Sequence, residues 1–371
     1  MPDTATIAIP KDLLPADGRF GSGPARIQTS FVHDLAATGS KFLGTSHRRT
    51  TVREIVKSIQ TGIGEMYGLP DGYEVVLGVG GATAFWDIAG FGLIERRSAH
   101  FTCGEFSQKF ADAVHGTPHL DTPVVVHADV GNAPEPAAIT GTDTSAFIHN
   151  ETSTGVLAPF RRFGDELVVV DGTSAAGAIP YDVSHVDAYY FSPQKALGSD
   201  GGLWLATLSP RAISRAESIR SAGRWIPPSL SLTTAIKNSR LAQTYNTPAL
   251  ATLYLLAAQI TYVNDRGGLV WTQSVTEQSS AHLYQWAELS EYAQPFVQKH
   301  SLRSPTIVTI DFDGTVSADD VAGVLRANRI VDTESYRKLG RNQLRIATFP
   351  NVPVDDVQAL TECIDYVAER L

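Results

Sequence analysis

"ELVVVDGTSAAGAIPYDVSHVDAYYFSPQK" (residues 166–195) contains two apolar runs, each ending in a residue that apolar surroundings penalise. Leu167–Val170 run straight into Asp171, and Ala188–Phe191 lead through a Ser-Pro turn to Gln194 and Lys195. Neither run alternates apolar with polar residues, so both read as strands buried on both faces, the pattern of a parallel sheet covered by helices. A carboxylate or an ammonium near a core must be paired, hydrated or neutralised. In open parallel sheets, functional residues gather beyond the carboxyl ends of the strands. The stretch therefore predicts an α/β fold and places the chemistry at one edge of its sheet.

Working outward, "YEVVLGVG" (73–80), "TSAFIHN" (144–150) and "GLWLATL" (202–208) are further strands, and "ATAFWDIAGFGLI" (82–94) is a helical pattern between two of them. A long helix is expected over 248–265, followed by the turn "NDRGG". Beyond it, "SPTIVTIDF" and "NQLRIATF" are strands separated by the helix "ADDVAGVLRANR", which predicts a smaller α/β C-terminal domain. The expected division is a large domain over 23–264 and a small domain made of 1–22 and 265–371.

The 371 residues are 43% hydrophobic and 19% charged, an ordinary globular composition. A formal charge of −9 argues against nucleic acid as a partner. The most apolar stretch, "ALATLYLLAAQITYV", is too short and too polar to span a bilayer, so no membrane association is expected. Two cysteines, Cys103 and Cys363, make no disulfide framework and point to a reducing, cytoplasmic setting, and the N-terminal stretch does not read as a signal peptide.

Three strand ends carry unusual polar chemistry: Asn150, Glu151 and Thr152 after one, Asp171 after a second, Gln194 and Lys195 after a third. Taken singly, each reads as a turn or a helix cap. Together they suggest a lysine of lowered pKa, able to act as a nucleophile, beside a carboxylate able to pair with a pyridinium nitrogen. That pairing is the requirement of pyridoxal 5′-phosphate, whose ring is an electron sink while it stays protonated. A phosphate cradle is also needed. "GVGGATAFWD" offers one, with Gly80, Gly81, Ala82 and Thr83 at a strand-to-helix turn. It lacks the dinucleotide pattern, because Thr83 stands where the last glycine would be.

"GGATAFWD", "HNETSTG", "DGTSAAG", "YFSPQK" and "YNTPALATLYLL" together resemble the phosphoserine aminotransferases, class V members of the fold type I pyridoxal-phosphate enzymes. The resemblance runs from "FGSGPARI" to "NQLRIATFPNV", and "GTSHR" with "GRNQLRIA" is similar to the actinobacterial branch. It implies that Lys195 holds the cofactor covalently and then shuttles a proton, that Asp171 pairs with the ring nitrogen, and that Thr152 donates to the phenolic oxygen. It further implies Phe106 stacked on the ring, and Gly81, Ala82, Thr83 and Gln194 around the phosphate. Asn246 and Thr247 are expected to reach that phosphate from a partner subunit in a homodimer with shared sites. Arg345 is expected to bind the substrate α-carboxylate, with His47, Arg48 and Arg337 at the distal anion; no metal is expected. Relatives carry His-Arg where this chain has Tyr336-Arg337. The implied reaction moves an amino group from glutamate to 3-phosphohydroxypyruvate in serine biosynthesis, and the related phospho-oxobutanoate of pyridoxine biosynthesis stays open as a second substrate.

Four rivals remain, one of them a non-catalytic binding or scaffold protein on the same fold, against which the retained Lys195 and Asp171 argue. Another class V aminotransferase, such as the alanine–glyoxylate type, shares the cofactor motifs. A cysteine desulfurase would need a mobile cysteine in a late loop, and Cys363 lies in a helical pattern. "TIVTIDFDGTVS" (306–317) imitates the aspartate-nucleophile phosphatases, but only about sixty residues follow Asp313, where a doubly wound domain needs roughly a hundred.

Overall fold

The computed structural model describes residues 7–371. In chain order the first half forms α1 (Thr29–Ala37), α2 (Thr50–Tyr67), β1 (Glu74–Val79), α3 (Gly81–Gly92), β2 (Ser98–Thr102), α4 (Glu105–His115), β3 (Val124–His127) and β4 (Thr144–Ile148). A short hairpin follows, β5 (Asn150–Glu151) and β6 (Val156–Leu157), then β7 (Leu167–Asp171), β8 (Ala188–Phe191) and β9 (Leu203–Leu208). The helices α5 (Pro210–Ser221), α6 (Leu232–Ser239), α7 (Leu250–Asn264) and α8 (Leu269–Leu289) come next. The chain ends with β10 (Ala293–Pro295), β11 (Ile307–Phe312), α9 (Ala318–Ala327), β12 (Gln343–Ala347) and α10 (Val354–Ala368).

Seven strands form the main sheet in the order β1-β9-β8-β7-β4-β2-β3. Only β9 runs against its neighbours in that sheet; the other four pairings are parallel. Every residue of β7 and β8 is buried, as the unbroken apolar runs require. Alternate side chains feed opposite layers. Val168, Val170, Tyr189 and Phe191 pack with Ile59, Ile63, Leu253 and Leu256 from α2 and α7. Val169, Ala188 and Tyr190 pack with Phe85, Ile88 and Phe110 from α3 and α4. In register, Asp171 lies opposite Ile148 on one side and Tyr190 on the other, so the functional strand ends sit side by side.

The strands β2, β3 and β10 have no counterpart in the sequence reading. β2 is fully buried although its sequence is Ser-Ala-His-Phe-Thr, because its polar groups pair internally: Ser98 Oγ and His100 Nε2 lie 2.9 Å apart. β3 is a short edge strand and β10 has only three residues, too few to carry a period.

The second layer system is the antiparallel sheet β10-β11-β12. Its core joins Ile9 and Phe20 to Leu283, Val308, Ile310, Leu344 and Ile364. Phe20 donates its N–H to Val331 O and accepts one from Ala347. Residues 1–6 of the expected small domain (1–22 with 265–371) lie outside the described residues. The phosphatase-like aspartates are structural here. Asp311 is gripped by Arg341 and accepts from Gln343 Nε2 at 2.8 Å, while Asp313 accepts from Thr315 N at 2.8 Å as a turn cap. Cys363 is buried within α10, not in a loop.

Where β1 pairs with β9, Gly78 lies opposite Trp204 and leaves room for its indole. A Cβ there would come within 2.5 Å of the ring. Gly78→Ala is expected to cost about 1–3 kcal/mol through overpacking, read as a lower thermal midpoint. An unchanged midpoint would mean that the indole moves aside freely.

Candidate active site

The turn from β1 into α3 depends on two glycines with left-handed backbone, Gly80 at φ +116° and Gly81 at φ +73°. No side chain caps α3, so the N–H groups of its first turn, where Ala82 and Thr83 lie, face outward without a partner from a cap. Such an end attracts an anion through its dipole and its free donors. Ser192 connects this turn to the lysine segment. Its Oγ lies 2.5 Å from Gln194 Oε1 and 2.6 Å from Leu203 O, and a Cβ on Gly81 would stand 3.8 Å from it. Gln194 is thereby held beside the α3 terminus.

Lys195 is only 8% exposed. Its Nζ donates to Ser22 O at 3.0 Å and to Thr152 Oγ1 at 3.1 Å, and lies 5.6 Å from the centre of the Phe106 ring. Both acceptors are neutral. Burial therefore dominates and, with the nearby Arg345 charge, pushes the Lys195 amine down to about 8, against the opposing pull of Asp171 and Glu151. Gly23 leaves room for the lysine: a Cβ there would lie 3.0 Å from Lys195 Cε.

Asp171 is 5% exposed, and each carboxylate oxygen has a protein donor. Thr173 N donates to Oδ1 at 2.9 Å, and Trp86 Nε1 reaches Oδ2 at a long 3.4 Å. Acceptor capacity remains for a further N–H. Trp86 escaped the sequence reading, although it lies one helical turn beyond Thr83 and so shares its face.

Glu151 also went unassigned. Fully buried, it accepts from Ser107 N at 3.0 Å, Phe106 N at 3.3 Å, Ser107 Oγ at 2.9 Å and Ser153 Oγ at 2.6 Å. It thus ties the first turn of α4, and with it Phe106, to the strand end that carries Thr152. Gly104 allows the approach, since a Cβ there would meet Glu151 Cγ at 2.5 Å. The available signal was an acidic residue between an apolar strand and a Thr-Ser-Thr turn.

Arg345 arrives from β12. Its Nη1 donates to Thr152 O at 3.3 Å, while its Nε is buried without a partner, and desolvation lowers its pKa. Lys195, Asp171, Thr152, Phe106, Gln194, Arg345 and the Gly81–Thr83 turn are thus brought to one region. The other expected residues are not joined to it. Arg48, Asn246, Thr247 and Arg337 are exposed, and His47 is half-buried with its Nε2 unpartnered. Burial and the neighbouring Arg48 lower the His47 pKa. Among the described residues, none of these five makes a hydrogen bond or ion pair to Lys195, Asp171, Thr152 or Arg345.

The donor set fits pyridoxal 5′-phosphate: an amine near neutrality, a carboxylate with spare acceptor capacity, and an uncapped helix end for a phosphate. Orphaned buried atoms (Ser22 Oγ, Asn150 Oδ1, Arg345 Nε) add polar groups ready for a ligand. With a mostly parallel sheet bearing this chemistry at its strand ends, the protein falls in the fold type I class of enzymes that use this cofactor.

The class-V aminotransferase family model matches residues 134–333. Phosphoserine aminotransferase of Rhodococcus jostii is 53% identical over 371 residues, covering 99% of this chain and 100% of its own. That of Rhodococcus opacus is 52% identical with the same coverage. The crystal structure of a phosphoserine aminotransferase from Cytophaga hutchinsonii aligns with a TM-score of 0.86 at 25% identity, covering 94% of this chain and 99% of that one. An alanine–glyoxylate aminotransferase from Nostoc, at 19% identity and a TM-score of 0.79, shares the fold. The chain belongs to the class-V aminotransferases and, among them, to the phosphoserine aminotransferase family.

The lowered lysine has a measurable consequence. Between the folded value near 8 and the ordinary 10.5, the folded cofactor-free protein binds fewer protons than the unfolded chain, so its stability rises with pH across that window. Below the window the burial cost of the ammonium is carried in full. Lys195→Met is expected to raise the thermal midpoint of cofactor-free protein at pH 7, the advantage shrinking as pH climbs toward 10.5. A variant no more stable at pH 7 would contradict the assignment.

Proposed function

We propose that this chain catalyses the reversible transfer of an amino group from glutamate to 3-phosphohydroxypyruvate, giving O-phosphoserine and 2-oxoglutarate. The observation that carries the proposal is the approach of Arg345 to the Lys195 region, which sets a planar two-pronged cation beside the amine. A guanidinium recognises a carboxylate bidentately, and both amino-acid partners of such a reaction carry one. Relatives of more than 50% identity bear the same name over the whole chain length. Those matches favour this reading over the alanine–glyoxylate type, and the helical burial of Cys363 argues against a desulfurase.

Bound pyridoxal phosphate supplies the electron sink for loss of the substrate α-proton. The chain's own groups have separate tasks. Gly81, Ala82, Thr83 and Gln194 would hold the phosphate, Phe106 would pack against the ring, and Thr152 would donate to the phenolic oxygen. Asp171, with acceptor capacity to spare, would keep a proton at the ring nitrogen. Lys195, with its amine near 8, keeps a workable neutral fraction at physiological pH and would be the base that takes the substrate α-proton when the cofactor is bound. Thr152 Oγ1 and Ser22 O hold that amine when it is free.

The remaining residues point to a homodimer with shared sites. Asn246 and Thr247 would contact the phosphate across the interface, and His47 and Arg48, with Arg337, the distal anion. Leu43, Leu241 and Tyr245, neighbours of these segments, are 41%, 50% and 48% exposed, which supports an interface there. A cytoplasmic setting fits two free, buried cysteines, and no helix among the described residues is long and apolar enough to cross a membrane.

Purified protein is expected to aminate 3-phosphohydroxypyruvate with glutamate, with phospho-oxobutanoate assayed in parallel. Asp171→Ala should lower kcat by about 10²–10³, the usual worth of a preorganised electrostatic group, with a much smaller change in KM. Near-normal turnover would reduce Asp171 to a strand cap.

Subunit sharing is tested by mixing Lys195→Ala with Arg48→Ala under conditions that exchange subunits. Each parent should be nearly inactive. In a mixed dimer one site inherits both lesions and the other neither, so with random pairing roughly a quarter of all sites should recover. No recovery despite demonstrated exchange would place Arg48 in its own chain's site or away from any.

A further inference from the structure

The segment between β11 and β12 carries an aromatic ring that none of the roles above uses. Tyr336 is half-buried, with its ring centre 5.9 Å from that of Phe106 and 5.3 Å from Arg345 Cζ. Lys338, in the turn that follows, is ion-paired to Glu105, the first residue of α4 and the neighbour of Phe106. At its other end the segment is tied to β12: Arg345 N donates to Thr333 O at 2.9 Å, and Glu334 bridges to Leu344. The ring is therefore held across the join between the small sheet and α4, in contact with a group from each.

A guanidinium makes its hydrogen bonds only in its own plane. An aromatic ring over its face excludes water and restricts its rotamers without occupying a donor. Among the described residues, Arg345 has one protein acceptor, Thr152 O, and a buried Nε with none. Its remaining donors are left for a ligand, while its Cζ lies over the Tyr336 ring. A cation in place of Tyr336 would repel Arg345 and add positive charge near Lys195; a neutral ring does neither.

We propose that Tyr336 is a positioning residue for substrate recognition: its ring clamps Arg345 so that the guanidinium's free donors are presented to the substrate α-carboxylate. The proposal rests on the reading of Arg345 given under the proposed function. It makes the ring, not the phenol hydroxyl, the working part, and it predicts an effect on carboxylate binding more than on turnover.

The test compares Tyr336→Phe, Tyr336→Leu and Arg345→Gln as holoenzymes. Succinate, a dicarboxylate with neither an amino nor a keto group, is the probe; its Kd is read from the change in cofactor absorbance. The kcat and KM for glutamate and the thermal midpoint are measured alongside. Tyr336→Leu is expected to weaken succinate and to raise the glutamate KM roughly tenfold, the worth of a desolvated cation–π contact, with kcat and midpoint little changed. Tyr336→Phe should behave as the parent. If Arg345→Gln loses succinate but Tyr336→Leu does not, the clamp is refuted and the reading of Arg345 stands. If Arg345→Gln binds succinate normally, the reading of Arg345 falls and the clamp with it. A Phe variant as weak as the Leu variant, or a loss confined to kcat, also overturns the proposal.

Discussion

An amine excluded from water and held by two neutral oxygens is the constraint on which the rest of the site depends. Lys195 Nζ meets a backbone carbonyl and a hydroxyl, not a carboxylate. A direct ion pair would have kept the amine protonated, whereas neutral acceptors orient it and leave burial to lower its pKa. The arrangement needs close backbone on one side. Gly23 meets that need with a φ of +136° and no side chain in the space that the Lys195 stem occupies. The same segment is anchored at both ends, by Phe20 to Val331 and Ala347, and by Ala25 N to Gln194 O at 2.7 Å. The lysine therefore touches both the main sheet and a strap bound to the small one.

Buried carboxylates hold the frame around that amine. Glu151 is satisfied by backbone and hydroxyl donors, so its cost of burial is offset while it aligns α4 with the hairpin that carries Thr152. At the other end of β8, Asp187 accepts from Val168 N at 2.9 Å, Ser209 Oγ at 2.7 Å and Arg162 Nη2 at 2.8 Å, fixing the strands β7 and β8 where they begin. Asp171 differs. With one short and one long hydrogen bond, it is less fully engaged than Glu151, as suits a group kept for a ligand.

The groups proposed to face the substrate come from elements far apart in the chain, and this determines which of them a single chain can assemble. Arg345 reaches the lysine because β12 packs beside the hairpin at Thr152. The exposed residues Arg48, Asn246 and Thr247 have no such neighbour among the described residues. The ion pair of Lys338 with Glu105 and the contacts of Tyr336 lie where the small sheet meets α4, so movement between those parts would alter the substrate clamp directly.

Local chemistry alone made the main sheet legible. Unbroken runs such as Leu167–Val170 can be stable only when covered on both faces, and Asp171 and Lys195 at their ends mark the edge that does chemistry. The Gly80–Gly81 turn was equally readable, since left-handed backbone before an apolar helix calls for glycine. β2 escaped notice because its Ser, His and Thr look like loop residues until Ser98 and His100 meet across one strand face. Trp86, Ser22 and Tyr336 lacked a local signal, and Glu151 had one that assigned it no role, for another reason. Their roles are contacts with Asp171, α4, Lys195 and Arg345, partners brought near only when strands and domains close on each other. Spacing along a chain fixes period and turn; which donor meets which buried acceptor depends on packing, and there the tertiary structure decided.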